Sequence, residues 1–232
     1  MPIDINEGKL YNFNFGELIK APASLCDTAE FLDYLNKWKI ILEYYDQKAY
    51  TEYNSLVDQC SILNYCPEYF QYTQQYVEHY PPYIFHFNVD RIIKRIHESR
   101  LRSKLISVNK LLALASFDTT ITISDLKIKR DPIVLCKLYT PQYQYIVIDG
   151  NTRLNFYLMR KKIFTKCIIY EIKDKSDFLL SVDWAMYCFI MEVTNFIQDY
   201  DNDHKMHEKI KNSIIFQNFE MKSIVTNKKL FF

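Results

Sequence analysis

Glycine is nearly missing from this 232-residue chain, which holds only Gly8, Gly16 and Gly150. A chain so sparing of glycine has few places for positive φ or close backbone approach. A glycine inside Asp149-Gly150-Asn151 therefore marks a turn that requires one. An excess of charge of either sign is missing too. The 29 Lys+Arg offset the 28 Asp+Glu, leaving a formal net charge of +1, whereas a protein living mainly on nucleic acid shows a basic excess or a basic face. No apolar run reaches membrane-spanning length; the richest stretch, 182–197, is interrupted by Asp183 and Glu192, so no membrane partner is expected. None of the six cysteines forms a CxxC pair, and most, such as Cys136 and Cys167, sit among apolar neighbours. They are expected to be reduced core residues of a cytoplasmic protein. The first residues carry Asp4 and Glu7 instead of a basic start and an apolar run, so no secretory signal is expected. His79, His86, His204 and His207 have no neighbouring cysteine or third ligand, and no metal cluster is expected from them.

What is present begins with ample core material, since 49% of the residues are hydrophobic. Residues 1–26 read as irregular. Asp27 and Glu30 have capping-box spacing, and Phe31, Leu35, Trp38, Leu42 and Tyr45 then recur at helical intervals. A second helix is expected around Tyr53 to Cys60, and a third from Glu68 to His79, stopped by Pro81-Pro82. The pattern then changes. Residues 83–87 are aromatic and β-prone, and residues 90–116 return to helical spacing. Thr119 to Ile123 is β-branched and reads as a loop or short strand. Residues 132–135 and 145–148 read as two strands buried on both faces. Residues 152–160 read as a helix and 167–172 as another strand. From Ser176 a long helix is expected to Phe196, with a shorter one opening at Asp203. The expected architecture is α/β (α+β), a small mixed sheet with helical extensions at both ends. It divides into a helical segment over 1–82, a core over 83–172 and a helical segment over 173–232.

The stretch that carries chemistry is Ile146-Val-Ile-Asp-Gly-Asn-Thr-Arg-Leu154, a strand passing through a tight turn into a helix. The first turn of a helix has backbone N–H groups without intrahelical partners, and its dipole favours anions. Gly150 lets the backbone approach a ligand, Asn151 or Thr152 can cap the helix and donate, and Arg153 can offer a planar fork of donors to phosphate. The bland reading is a plain turn followed by a surface arginine.

Three elements in order, Phe87-Asn-Val-Asp-Arg-Ile92, Arg130-Asp-Pro-Ile-Val-Leu135 and Tyr145-Ile-Val-Ile-Asp-Gly-Asn-Thr-Arg-Leu154, resemble the ParB/sulfiredoxin superfamily over about residues 83–172. The resemblance implies a nucleotide-binding core that takes a nucleoside triphosphate or diphosphate with Mg2+. It implies that Gly150, Asn151, Thr152 and Arg153 hold phosphates, that Asp149 holds the metal or serves catalysis, and that Arg130, a further phosphate-binding residue, and Pro132 lie in the neighbouring loop or strand. Many members carry His where this chain has Thr152, and sulfiredoxin carries a reactive Cys where this chain has Asn151, which argues against sulfiredoxin chemistry. Serine kinases of the superfamily place a catalytic Glu in a His-Glu pair, and His97-Glu98 matches it at a spacing two residues longer. Glu98 is thereby a candidate base for hydrolysis or phosphoryl transfer, against the bland reading of an exposed acid among Arg95, Arg100 and Arg102.

Two other readings compete. The aromatic residues and helical flanks suit a non-catalytic module that binds a protein partner. The cations at Lys94, Arg95, Arg100, Arg102, Lys104 and Lys110 suit a nucleic-acid-associated protein. Residues 173–232 contain no glycine, and their long apolar helix does not resemble the DNA-reading helix-turn-helix of partition proteins.

Overall fold

A computed structural model describes residues 2–24, 28–76, 78–112, 114–115, 131–138, 144–198 and 203–213. The chain opens with a small hairpin, β1 (Ile3–Asp4) and β2 (Lys9–Leu10), followed by α1 (Phe15–Ala23) and the 35-residue α2 (Ala29–Leu63). Next come β3 (Tyr69–Gln74), β4 (Tyr83–Asn88), α3 (Val89–Glu98), β5 (Lys104–Ser107) and α4 (Val108–Leu112). Then follow β6 (Ile133–Leu138), β7 (Gln144–Asp149), α5 (Asn151–Met159) and β8 (Phe164–Glu171). A 3-10 turn (Lys175–Asp177), α6 (Ser181–Gln198) and α7 (Asp203–Lys211) complete the described elements. The class is α+β, as the sequence leads one to expect. No helix among the described residues is long and apolar enough to cross a membrane.

Several local expectations change. The opening residues are not irregular but form the β1–β2 hairpin, with Ile3 opposite Leu10, and the helix α1. The two helices expected over 27–60 are one, because no proline or glycine breaks the run. The side chain of Thr28 caps α2 by accepting from the Phe31 amide, and Asn64 ends it in the left-handed conformation. Residues 69–74 are a strand paired with β4, not a helix; Tyr-Phe-Gln-Tyr-Thr-Gln is rich in β-formers that lie flat on a neighbour. The span read as helical over 90–116 contains β5, entered after Arg100 turns the chain at φ 49°. Cys60 and Cys66 are not core thiols. They form a disulfide, while Cys136, Cys167 and Cys188 are free and buried. Cys26, Asp27, Thr119 to Ile123 and the last residues, 223–232, lie outside the described residues.

The chain divides into two compact units. The helical unit comprises residues up to Cys66, Gln71–His86 and those from Phe178 onward. Its core is the face of α2 bearing Phe31, Tyr34, Leu35, Trp38, Ile41 and Leu42, packed on α6. Two carboxylates are buried there. Glu192 accepts hydrogen bonds from Tyr34 Oη, Trp38 Nε1 (3.1 Å) and Ser213 Oγ (2.8 Å). Asp183 accepts from Tyr83 Oη (3.0 Å) and the His86 amide (3.1 Å), and lies 3.0 Å from His86 Nδ1.

The sheet unit comprises Pro67–Phe70 and Phe87–Asp177. Its four strands run in the order β5-β8-β6-β7. β6 is antiparallel to β7 and parallel to β8, and β5 is antiparallel to β8. The mixed sheet arises because the β7–α5–β8 crossover returns the chain beside β6. Val108, Leu111, Ile133, Leu135, Val147, Leu154 and Cys167 form the core between one sheet face and the helices α4 and α5. A register shift between Val134 and Leu135 sets Val134 opposite Asp149, which brings the start of β6 against the end of β7.

Candidate functional site

The site is built on the junction of β7 and α5. Ile146, Val147 and Ile148 anchor β7 in the core, so Asp149 emerges at the sheet's end and Gly150 must turn the chain into the helix. Gly150 has φ 98° and ψ 15°. A Cβ there would stand 2.6 Å from Ile133 Cδ1 and 2.9 Å from an Arg153 guanidinium nitrogen. Conformation and space both demand glycine. Its carbonyl accepts from the Leu154 amide at 2.8 Å, which starts the helix.

Asn14, Thr28 and Asn88 cap α1, α2 and α3 with their side chains, whereas α5 opens on Gly150 with no side-chain cap. Neither Asn151 nor Thr152 takes the capping position. Asn151 Nδ2 donates back to the Val147 carbonyl at 3.1 Å and ties the helix start to the strand. The Thr152 hydroxyl is half-buried and makes no hydrogen bond among the described residues.

Arg153 folds back over the glycine. One guanidinium nitrogen donates to Asp149 Oδ2 at 2.8 Å and to the Pro132 carbonyl at 3.3 Å. Its side chain is only 13% exposed, and its buried Nε has no hydrogen-bond partner among the described residues. Asp149, Gly150, Arg153 and Pro132 thus lie together at one end of the sheet. Asp149 and Arg153 neutralise one another, however, so the turn carries no net charge. Arg130 lies outside the described residues. Glu98 is the exposed last residue of α3, and it makes no hydrogen bond or ion pair among the described residues, to the turn or elsewhere.

A second polar cluster in the sheet unit escaped the sequence reading. Arg95, read as a surface cation, is largely buried and lies 2.6 Å from Asp174 and 3.1 Å from Asp177. Asp177 is fully buried and also accepts from Tyr170 Oη at 3.0 Å and the Lys173 amide at 2.8 Å. Desolvation pushes the Asp174 carboxyl up. The Arg95 guanidinium and the Ser176 amide and hydroxyl more than offset it and hold the group at about 2. The carboxylates take all their described partners from within the cluster, and the buried Arg95 Nη1 meets Asp177 as an ion pair without a hydrogen bond, which suits a structural clasp between α3 and the 3-10 turn. The available signal was the amphipathic spacing of Arg91 and Arg95 with Ile92 and Ile96, which puts Arg95 beside the apolar face.

No group of three metal-ligating side chains occurs among the described residues. The chain matches no protein-family model, no curated protein and no solved structure.

Proposed function

We propose that the 149–153 turn binds the phosphates of a nucleoside diphosphate or triphosphate together with Mg2+, on a core of ParB/sulfiredoxin type. The observation that carries this reading is a helix start left uncapped at a glycine whose φ and surroundings disfavour any side chain, with a guanidinium folded against it. A helix N-terminus attracts anions through its amides and dipole, and the unbonded Thr152 hydroxyl adds a donor. Asp149 is one carboxylate, too little for a resident metal. It fits Mg2+ that arrives with phosphate, since that ion keeps most of its waters and takes one or two protein oxygens. Mg2+ on Asp149 would compete with Arg153 for the carboxylate and release the guanidinium toward phosphate. The turn is then neutral at rest and cationic once the metal is bound.

Hydrolysis or phosphoryl transfer would follow from Asp149 holding the metal and Arg153 spreading phosphate charge. A base role for Glu98 requires the acceptor to reach the exposed end of α3. The expected result is Mg2+-dependent binding of at least one of ATP, ADP, CTP and GTP. Arg153→Ala should weaken it roughly tenfold or more, and Asp149→Ala should abolish the metal dependence, both read by calorimetry. Well-folded wild-type protein that binds none of the four would sink the reading. The closed Asp149–Arg153 pair favours, as a second reading, an interaction module that keeps the fold without chemistry; nucleotide turnover lost in Arg153→Ala would overturn it. The buried thiols at Cys136, Cys167 and Cys188 support a cytoplasmic setting, and the Cys60–Cys66 bridge speaks against one.

A further inference from the structure

Two stretches of this chain contain no carboxylate. Residues 99–112 hold Arg100, Arg102, Lys104 and Lys110, and residues 155–170 hold Arg160, Lys161, Lys162 and Lys166. Antiparallel pairing of β5 with β8 sets them side by side, with Leu105 opposite Lys166 and Ser107 opposite Phe164. A chain with 29 basic and 28 acidic residues thereby gathers cations along one edge of the sheet unit. Among the described residues none of these basic side chains is ion-paired.

Beside this edge lies a cleft of ≈ 580 Å³. Phe156 and Tyr157 of α5 and Phe164 of β8 wall it, Lys162 and Lys166 stand at it, and Asp131 is the one acid lining it among the described residues. Lys162 Nζ sits 3.8 Å above the Tyr157 ring, and the Arg160 guanidinium lies 5.2 Å from the Phe156 ring centre. Phe164 is 55% exposed and its neighbour Ile163 is 70% exposed.

A lysine on an edge strand blocks unwanted strand pairing, which accounts for Lys104. It does not account for the cations at 160–166, nor for the exposed Phe164 ring among them. Rings interleaved with cations along a concave surface match the needs of a single strand, whose phosphates seek cations while its bases stack on aromatic faces. A duplex can meet the cations with its phosphates but keeps its bases stacked inside, and so leaves the rings nothing to stack on. A bilayer would engage the protruding Leu105, Ile163 and Phe164, but it has no use for Phe156 and Tyr157, which are half-buried in the cleft wall with cations beside their rings. We propose that the β5–β8 edge and the cleft beside α5 bind single-stranded nucleic acid. None of these residues belongs to the 149–153 turn, so the proposal stands apart from mononucleotide binding there.

The test uses the full chain and a fluorescein-labelled oligothymidylate of about 15 nucleotides, with a duplex of equal length and phosphatidylserine-containing vesicles as comparisons. Wild-type protein should raise the anisotropy of the single strand at protein concentrations too low to affect the duplex. Its affinity should fall with salt at about 0.7 log units per phosphate contact. Lys162→Glu with Lys166→Glu should cost tenfold or more in affinity, about 1.4 kcal/mol. Phe164→Ser should cost roughly fivefold or more while leaving the salt slope unchanged. Arg153→Ala should keep oligonucleotide binding, which separates failure of this proposal from failure of the nucleotide reading. No single-strand binding at low salt, equal affinity for duplex and single strand, or sedimentation with vesicles but no oligonucleotide binding would each overturn the proposal. The comparison of probes needs only wild-type protein, so a variant that fails to fold does not shield it.

Discussion

Gly150 shows how much one residue can carry. Its φ of 98° lies where L side chains rarely go, and the space a Cβ would need is filled by Ile133 and Arg153. Gly150→Ala should destabilise the protein by about 2 kcal/mol or more through backbone strain and displacement of Arg153, measured as a lowered denaturant midpoint. A structural turn alone predicts that loss and nothing else. A phosphate-binding turn predicts in addition that nucleotide affinity falls in whatever fraction stays folded. The sequence made this glycine conspicuous because the chain has so few. The same reasoning could not place Arg153, whose recruitment by Asp149 and the Pro132 carbonyl depends on β6 and β7 lying side by side. It could not place Glu98 either, because the one-turn difference between a helix end facing a site and one facing solvent is decided by packing.

Among the elements, strands flanked by punctuation were legible. Ile133–Leu138 and Gln144–Asp149 have the continuous apolar runs of strands covered on both sides. The failures share a cause. Residues 68–79 carry aromatics at spacings compatible with either helix or strand, and the partner strand β4 decided the matter. Residues 104–107 are too short for periodicity to speak, and pairing with β8 made them β5. Cysteine pairing also belongs to this scale. Cys60 is in the last turn of α2, and the left-handed Asn64 reverses the chain so that Cys66 returns beside it. A bridge over a sequence separation of 6 should contribute about 2 kcal/mol by loop entropy. Cys66→Ser should lower stability by about that amount, while the reactive thiols counted in denatured wild-type protein should rise by two on reduction. An unchanged count would show that the bridge does not form.

At the scale of the whole molecule, helices far apart along the chain, α2 and α6, pack together in one unit. Trp38 on α2 is fully buried, and its ring packs 5.8 Å from that of Phe189 on α6, while Glu192 ties the two helices by hydrogen bonds. Truncation after Asp177 removes α6 and leaves Trp38 the sole tryptophan of the two in the chain. Its fluorescence should shift from the emission of a buried indole to that of an exposed one, because a face of large apolar side chains loses its cover. An unshifted spectrum would mean that the retained residues cover that face without α6. Charge behaves in the same way at this scale. A net charge of +1 suggests no polyanion partner, yet strand pairing joins two acid-free stretches into one basic edge.

Composition and local spacing determined the α+β class, the amphipathic helices, the buried central strands and the need for glycine in the turn at 150. These depend on neighbours within a few residues, where side-chain periodicity and backbone freedom act directly. Tertiary structure decided that Arg153 closes on Asp149, that Arg95 is buried between Asp174 and Asp177, that Glu192 serves three donors, and that cations some sixty residues apart share an edge. Each of these joins groups distant along the chain. Their meeting is set by strand order and helix packing, which the free energy of the whole core selects and no short stretch of sequence encodes.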